Sequence, residues 1–465
     1  MATPAPTPTT TILDAEVDGV VLDVRVEQGH IARMERELPR SGTRLVRAGG
    51  AALLPGLHDH HLHLLAMAAG RTSVDVGPAS DPHGFDRSLR AAHGVRAPQQ
   101  WLRVVGYDEC HGPLDRFRLD HLAPSRPVRV QHRSGAAWIL SSAGLAAIGE
   151  HSAAGEHSDD GWIHRSDTEL GRRWPGDDPP ELAPVGRHLA ALGVTGVTDA
   201  TPFTDPGGFA LLAAARQRGD LPQHLRVMGG PALAGTAAPT GLEQGPVKIV
   251  VADDALPSPD QLAASFTTAR RAGRVVAVHC VTRVGLVLAL AAWEEVGSVP
   301  GDRIEHASVV PLELIGRIAA LQLQVVTQPA FIHARGDRYL AEVELDDQPH
   351  LYRCGSLLAR GIGVGGSTDA PFGPSDPWLA IRTAVDRRTS AGRVVGPDEA
   401  IDAARALATF LSPLDAPGGR RRSVTPGVTA DLCLLAGPLA DALHAPSADH
   451  VRATWIGGTL AHGDP

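Results

Sequence analysis

The residue of this chain that is most suited to chemistry is its single lysine. Lys248 is the only lysine among 43 lysine and arginine residues, and it lies in an apolar run, residues 246–251, that predicts a short buried strand. A buried lysine can lose its proton and act as a nucleophile, whereas an arginine stays charged. A neutral lysine can also add carbon dioxide and become a carbamate, which is an anionic oxygen ligand for metals. The alternative is a surface lysine without a chemical role.

Four histidines within six consecutive residues form the densest group of candidate metal ligands. Side chains alternate between the two faces of a strand, so His61 and His63 share a face with Asp59, while His58 and His60 share the other. Two imidazoles two residues apart on one strand can hold one metal ion. We favour His61 and His63 because they lie nearer the end of the strand. His58 and His60 are the rival pair, and a nonspecific surface metal binder is a further alternative.

Three later strand ends carry a polar side chain that could join such a site. His279 and His306 each end a short apolar run, and Asp369 follows a glycine-rich one. Singly, each has an ordinary explanation, because a histidine at a strand end is more often a core or surface residue and an aspartate before a loop is usually a turn former. Together with Lys248 and the histidine pair they form an ordered series along the chain, which indicates a metal centre.

The segments that must position these residues alternate between helices and strands of β-branched residues. Repeated alternation of this kind predicts parallel strands. An α/β fold with a TIM-like (β/α)8 barrel is the first expectation and a doubly wound sheet the second, and in a barrel the functional residues lie where the strands end. The clearest pairs are helix 184–192 with strand 193–198, helix 259–272 with strand 274–279, and helix 311–321 with strand 324–327.

Both ends of the chain show a different sequence pattern, with short β-like runs separated by turns. Residues 11–34 and 430–456 show it, and Gly457 and Gly458 predict a turn between the last two strands. We infer that the two ends meet in one small β domain. The predicted domains are therefore a small β-sandwich, formed by residues 1–54 and 416–465, and a barrel over residues 55–415.

Composition excludes several classes of protein. A chain of 465 residues is long enough for one large domain and a smaller one. The net charge is −9 without a basic run, so no nucleic-acid partner is expected. No apolar run approaches the roughly 20 residues of a membrane span, and residues 1–8 lack the features of a secretory signal. Four scattered cysteines fit a reduced cytoplasm, so we expect a cytoplasmic protein with a small-molecule substrate, and a homodimer is compatible with the sequence.

In these motifs the chain resembles the metal-dependent amidohydrolase superfamily, in particular the amidohydrolase 3 branch that includes N-substituted formamide deformylases. The opening signature of that family, Pro-Gly-x-x-Asp-x-His-x-His, is met by Pro55, Gly56, Asp59, His61 and His63, which favours the pair His61 and His63 over its rival. The resemblance covers nearly the whole chain and implies a TIM-like barrel with a β-sandwich built from both termini. Further family positions match Lys248 on strand four, His279 and His306 after strands five and six, and Asp369 after strand eight.

The resemblance implies a hydrolase of carbon–nitrogen bonds other than peptide bonds. Two divalent ions are expected, for which zinc suits the ligands: His61, His63 and Asp369 hold the more buried ion, His279 and His306 the outer one, and carbamylated Lys248 bridges them. A metal-bridging hydroxide would attack the carbonyl of an N-acyl amine, a formamide or a cyclic amide. Asp369 is the expected general acid/base, and His306 is the second catalytic candidate.

Candidate substrate-binding residues lie in segments expected to reach the loop face. Tyr107 and Trp138 have packing as their alternative role, Asp108 adjoins Tyr107, Gln328 could donate to the substrate, and His333 could equally be exposed. After His279 the branch often continues with Gly-Asp, whereas this chain has Cys-Val. This departure alters the expected pocket, so the deformylase substrate is not transferred.

Two other functions remain open. A mononuclear aminohydrolase that deaminates a heterocycle often has a glutamate three residues after the strand-five or strand-six histidine, but Thr282 and Val309 occupy those positions here. A catalytically inactive barrel with a binding or scaffold role is the other alternative, and bound metal would separate it from the enzymes. A nicotinamide-binding sheet is disfavoured, because residues 363–366 lack the G-x-G-x-x-G spacing.

Overall fold

The computed structural model describes residues 9–79, 81–95, 100–133, 135, 137–149, 159–164, 179–230, 233, 236–253 and 255–464. The strands in this part of the chain are β1 (Thr10–Val17), β2 (Val20–Glu27), β3 (His30–Glu35), β4 (Arg44–Arg47), β5 (Leu53–Pro55), β6 (Leu57–Leu62), β7 (Val74–Asp75), β8 (Leu102–Tyr107), β9 (Val128–His132), β10 (Ala137–Leu140), β11 (Trp162–His164), β12 (Val194–Asp199), β13 (His224–Val227), β14 (Leu242–Gln244), β15 (Val247–Val250), β16 (Val276–Cys280), β17 (Arg303–His306), β18 (Gln324–Thr327), β19 (Val364–Gly366), β20 (Leu432–Leu435), β21 (Val451–Ile456) and β22 (Thr459–His462).

The helices in the same part of the chain are α1 (Leu64–Gly70), α2 (Pro82–Val95), α3 (Arg116–Leu122), α4 (Ser142–Ile148), α5 (Ala183–Ala191), α6 (Pro206–Arg218), α7 (Pro259–Arg271), α8 (Arg283–Val296), α9 (Leu312–Ala320), α10 (Ala330–Glu342), α11 (Gly355–Ala359), α12 (Pro377–Asp386), α13 (Ala403–Ala408) and α14 (Leu439–His444). Single turns of 3-10 helix span Glu109–His111, Gln348–His350, Pro397–Glu399 and Ala448–His450. None of the helices within the described ranges is long and apolar enough to cross a membrane.

Two parallel sheets carry the expected metal ligands, on their strands or just after them. One has the order β14-β13-β12-β6, and the other has the order β15-β16-β17-β18-β19. Helices α7 to α11 connect successive strands of the second sheet. The predicted α/β class with parallel strands is confirmed, and the helices predicted over 184–192, 259–272 and 311–321 are α5, α7 and α9.

Apolar packing between strands and helices holds the second sheet in place. Val276, Val278 and Ile304 on the strands join Phe266 on α7 and Trp293 on α8 in one buried cluster. In the first sheet, Gly56 permits a close approach to β12, because a Cβ atom at that position would lie 2.0 Å from Cγ2 of Thr195. The Pro-Gly pair of the sequence motif therefore has a packing reason beside its turn chemistry.

The two ends of the chain form two four-stranded sheets, with the orders β3-β2-β1-β4 and β22-β21-β20-β5. They meet as predicted. Ile12 and Val24 of the first sheet share a buried cluster with Leu434 and Trp455 of the second. Gly457 and Gly458 lie between β21 and β22, both with positive φ, as the predicted turn requires.

A separate compact unit, Leu64–Leu182, was not predicted from the sequence. It has its own five-stranded sheet, β11-β10-β9-β8-β7, in which β7, β8 and β9 run parallel and β9, β10 and β11 antiparallel. Phe85 from α2 and Leu119 from α3 pack with Val104 and Val130 of this sheet. The remainder of the chain forms the other unit, which contains both parallel sheets and both terminal sheets.

Replacing Leu434 with alanine should lower the free energy of unfolding by about 2–5 kcal/mol, because a buried leucine is lost from the core shared by the two terminal sheets. Leu345→Ala is the matched control, since that side chain is 79% exposed, and its effect should stay within about 0.5 kcal/mol. Urea unfolding followed by circular dichroism measures both. Equal effects of the two substitutions would contradict the shared core.

Candidate metal centre

His61, His63 and Asp369 converge although they are far apart in the sequence. The Nε2 atoms of His63 and His61 lie 3.1 Å and 3.5 Å from Oδ1 of Asp369. Main-chain bonds join the segments that carry them, since Asp369 N–H donates to the His61 carbonyl and His63 N–H to the Ala370 carbonyl, both at 2.8 Å. One ligand atom from each side chain lies within 4.8 Å of the other two, which suits a single metal ion.

The other three expected ligands lie beside this group. Nζ of Lys248 is 3.4 Å from Nε2 of His61. The His306 ring lies 4.7 Å, centroid to centroid, from the His61 ring and 4.3 Å from the His279 ring. The structure therefore brings all six residues into one cluster, which we call the metal-ligand cluster: His61, His63, Lys248, His279, His306 and Asp369.

The rival pair of histidines does not take part in the cluster. Nδ1 of His58 bonds to the Ser412 carbonyl at 3.0 Å, and Nε2 of His60 lies 2.9 Å from the Ser412 hydroxyl. Both rings are buried against the segment after α13, on the opposite face of β6. Alternation along the strand thus separates the two pairs as the sequence predicted.

A buried carboxylate that the sequence analysis missed holds the ring of His61. Glu305 accepts a bond from Nδ1 of His61 through Oε2 and one from Nε of Arg303, at 2.5 Å, through Oε1. A carboxylate on Nδ1 leaves Nε2 as the ligand atom and makes the imidazole a more basic ligand. The signal was present, because Arg303 and Glu305 share one face of a predicted strand and a buried charge needs a partner.

Asp59 fastens the end of β6 to the segment after β19. Its Oδ2 accepts from the Thr368 hydroxyl at 2.5 Å, and its Oδ1 accepts from the main-chain N–H groups of Thr368 and His61, both at 3.2 Å. Burial raises the pKa of Asp59 to about 7, although the bond from Thr368 opposes this shift. Asp59 therefore supports the two chain segments that supply three of the ligands, and its carboxylate contacts the cluster through the main-chain N–H of His61.

Burial favours the neutral forms that bind metals. Desolvation lowers the pKa of His61 and of His306 well below the usual range, and lowers that of His279 to about 3. Burial also lowers the pKa of Lys248 to about 8, although Glu305 and Asp369 nearby oppose the shift. The cluster thus contains neutral imidazoles and an amine that loses its proton far more readily than an ordinary lysine.

The backbone is strained where two of the ligands leave their strands. His306 has φ 67° and Asp369 has φ 56°, values that non-glycine residues rarely adopt. Such strain is found mostly at functional sites, where the surrounding structure holds it in place. The N–H of Ala307 bonds to the Glu305 carbonyl and that of Phe372 to the Asp369 carbonyl, at 2.9 and 2.8 Å, and these bonds stabilise the two turns.

Gln328 and His333 were both predicted to bind substrate, and the structure places them in different surroundings. Gln328 is fully buried, with Oε1 2.9 Å from Nδ1 of His306 and Nε2 2.9 Å from the Ser367 hydroxyl. Its carboxamide is therefore already engaged by protein groups. His333 lies half-buried on α10, and its carbonyl accepts from Ser390 N–H at 3.0 Å. None of the cluster contacts described above involves it.

The three remaining substrate candidates belong to the unit Leu64–Leu182, where each has local contacts. The Tyr107 hydroxyl donates to the Gly112 carbonyl at 2.9 Å. Asp108 caps the turn Glu109–His111 and pairs with Arg133 at 3.1 Å. Trp138 is buried beside Leu140 and Ile163. A role of these residues in substrate binding stays a prediction.

A second group of donors, Asp108, Cys110 and His111, also has its ligand atoms within 4.8 Å of one another. Its histidine is already used in local structure. Nδ1 of His111 accepts from Asp108 N–H at 2.9 Å, and Nε2 lies 2.9 Å from the Ala79 carbonyl. We therefore assign this group to helix capping.

Comparison with known proteins agrees with the motifs. A model of the amidohydrolase family matches residues 44–462. N-substituted formamide deformylase from Arthrobacter pascens is 25% identical, over an alignment of length 493 that covers 89% of each chain. A solved metal-dependent hydrolase of uncharacterised activity from Pyrococcus horikoshii OT3 is 20% identical, with a TM-score of 0.74 over 98% of this chain and 100% of that one. N-isopropylammelide isopropylaminohydrolase from Burkholderia multivorans is 18% identical, with a TM-score of 0.56 over 97% of this chain and 98% of that one.

Removing the Glu305 carboxylate, as in Glu305→Ala, should cost about 3–5 kcal/mol of unfolding free energy, because the fully buried Arg303 loses its partner. Glu294→Ala is the matched control, since it breaks an exposed pair with Arg317 and should cost about 0–1 kcal/mol. Urea unfolding of both variants measures the difference. A cost for Glu305→Ala no larger than that of the control would show that the buried pair is not needed.

Proposed function

The chain belongs to the amidohydrolase family, and from this membership and the cluster geometry we propose that it hydrolyses amide-type carbon–nitrogen bonds with the help of bound metal. The observation that carries the proposal is the convergence of His61, His63 and Asp369 beside the only lysine of the chain. The substrate class is an N-acyl amine, a formamide or a cyclic amide. The deformylase relative acts, by its name, on N-substituted formamides, and we propose the wider class because the residues after His279 depart from the branch.

The donor set fits two divalent ions, and zinc accepts this mixture of nitrogen and oxygen ligands. His61, His63 and Asp369 would hold the more buried ion, His279 and His306 the outer one, and a carbamate on Lys248 would bridge the two. Nδ1 of His61 and of His306 is engaged by Glu305 and Gln328 respectively, so both rings keep Nε2 for a metal. When bound, such ions lower the pKa of water and polarise a carbonyl.

The carbamate requires the neutral amine of Lys248, whose nitrogen forms a bond to the carbon of carbon dioxide and releases a proton. Lys248 is 5% exposed, and its Nζ lies 3.4 Å from Nε2 of the His61 imidazole. An arginine at this position could not undergo the reaction, which gives a chemical reason for a lysine where every other cation of the chain is arginine.

Asp369 handles the proton in this proposal. Its carboxylate lies at the centre of the cluster, within 3.1–3.9 Å of ring nitrogens of His63, His61 and His306. It would take a proton from the attacking water and deliver it to the leaving nitrogen. His306, the other catalytic candidate, lies beside the same carboxylate and could stabilise the charge that develops on the substrate oxygen.

We further propose that eight strands of the two parallel sheets, β6, β12, β13 and β15 to β19, close into one (β/α)8 barrel with β14 outside it, and that the two terminal sheets stack as a β-sandwich. Two main-chain bonds support closure: Lys248 N–H to the Gly229 carbonyl at 3.2 Å, and Asp369 N–H to the His61 carbonyl at 2.8 Å. The first joins β15 to the end of β13 and the second joins the end of β19 to β6. The domain bounds at 54/55 and 415/416, a cytoplasmic location and a homodimer stay predictions.

Lys248→Arg should keep the positive charge but abolish the carbamate, so the variant should bind fewer metal ions than the natural protein and lose activity on an amide library. Elemental analysis of protein purified with bicarbonate gives the metal content, and ¹³C-bicarbonate labelling should reveal one carbamate carbon in the natural protein alone. Arg360→Lys, which adds a lysine at an exposed site, is the control and should add no such signal.

Two ions and full activity in Lys248→Arg would contradict the bridging role. One ion in the natural protein, with release of ammonia from a heterocycle, would instead favour the mononuclear aminohydrolase. No ion and no activity would favour the inactive barrel.

A further inference from the structure

The structure assigns to Gln328 and Ser367 the role of fixing the tautomer of His306, with the proton on Nδ1 and the lone pair on Nε2. Gln328 is in this view a positioning residue and not a substrate contact. The tautomer depends only on hydrogen bonds within this chain. Its consequence for metal binding rests on the proposed function.

The direction of the bonds is set by a group that can only accept. The main-chain carbonyl of Thr327 lies 3.0 Å from the Ser367 hydroxyl, which donates its single proton there. The Ser367 oxygen therefore accepts from the amide N–H of Gln328, at 2.9 Å. A reversed amide would need the hydroxyl proton for itself and would leave the oxygens of Ser367 and Thr327 3.0 Å apart with no proton between them.

With the amide oriented in this way, its oxygen faces the histidine. Oε1 of Gln328 lies 2.9 Å from Nδ1 of His306 and has no proton to give, so Nδ1 must be the donor. A neutral imidazole has one N–H, and in this ring that N–H is on Nδ1. Nε2 of His306 therefore carries the lone pair that a metal ion requires.

Oδ2 of Asp369 lies 3.9 Å from Nδ1 of His306, beyond hydrogen-bond distance, so it does not replace the bond to Gln328. Gln328 and Ser367 are fully buried and Thr327 is nearly so, which excludes exchange with solvent. The Thr327 hydroxyl also donates to the His306 carbonyl at 2.8 Å, so the end of β18 holds both the ring and the strained main chain of His306. Thr327 and Gln328, which are consecutive, thus both hold His306 in place.

The partner of His306 differs in kind from that of His61. Glu305 fixes the His61 tautomer with a charged acceptor, whereas Gln328 fixes that of His306 with a neutral one. A carboxylate partner would also raise the basicity of the ring, which an amide does far less. Gln328→Glu should therefore preserve the tautomer and keep the outer ion, with the Ser367 hydroxyl turned to the second carboxylate oxygen and the Thr327 carbonyl still accepting from Ser367 N–H at 3.1 Å. Gln328→Met should release the ring.

The first test measures the tautomer without metal, by NMR of ¹⁵N-labelled histidine rings in the metal-free chain, with His306→Asn to identify the His306 signals. We expect a protonated Nδ1 and an unprotonated Nε2 in the natural protein and loss of this single-tautomer pattern in Gln328→Met. Gln324→Met is the matched control on the same strand, since the Gln324 amide oxygen has no hydrogen-bond partner among the described residues, and it should leave the pattern unchanged. A proton on Nε2 in the natural protein would overturn the inference.

The second test is a zinc titration of the same proteins. Gln328→Met should weaken the binding of the outer ion by about 10–100-fold, whereas Gln328→Glu and Gln324→Met should keep both ions bound. If Gln328 only filled space, the similarly shaped methionine would bind as the natural protein does and the buried glutamate would bind worse, which would overturn the role in metal binding. A natural protein with the Nδ1–H tautomer that takes up no zinc would refute the proposed function and leave the tautomer assignment intact.

Discussion

The structure depends on keeping a dense set of polar groups out of water without leaving a buried charge uncompensated. An unpaired buried charge costs several kcal/mol, so each member of the metal-ligand cluster must be neutral or paired. Burial lowers the pKa of His61, His279 and His306 and so favours their neutral forms, and Arg303 compensates Glu305. Asp369 and the amine of Lys248 have no such dedicated partner among the described hydrogen bonds and ion pairs, apart from the histidines around them. Divalent cations would compensate Asp369 and a carbamate together, which is why the site and its metal have to be considered as one unit.

The second requirement is that residues far apart in the sequence meet at one edge of the parallel sheets. Neighbouring strands are in register, so that His279 pairs with Glu305 and Cys280 with His306, and the ends of β16 and β17 lie side by side. Asp59 and Thr368 make the corresponding link between β6 and β19. Glu305 and Gln328 accept hydrogen bonds from Nδ1 of His61 and of His306, which would leave Nε2 of both rings for a metal ion. Three kinds of interaction thus support the site. Strand register brings the ligands together, side-chain bonds join their segments, and further hydrogen bonds orient the rings.

Much of this arrangement could be predicted from the sequence, because strands and helices differ in the period of their apolar residues. His279 and Asp369 are visible as polar residues after an apolar and a glycine-rich run, His306 ends a third predicted strand, and alternation separates His61 and His63 from their neighbours. Strict alternation fails at Glu305 and His306, which are consecutive and yet both reach the cluster. The positive φ of His306 accounts for this exception, and no local pattern predicts it.

Other features escaped prediction because their causes lie far away in the chain. Gln328 follows an apolar strand, as a substrate-binding residue would, and its contacts with His306 and Ser367 come from segments that are distant in the sequence. The unit Leu64–Leu182 alternates strands and helices much as the rest of the chain does, so its separate sheet could not be inferred from periodicity.

The most direct test of the account is a crystal structure of the zinc-loaded protein measured at the zinc absorption edge. The account predicts two anomalous peaks, one coordinated by His61, His63 and Asp369, and a second coordinated by His279 and His306, with density for a carbamate on Lys248 between them. Zinc bound elsewhere on the chain, with these six side chains free of metal, would contradict it.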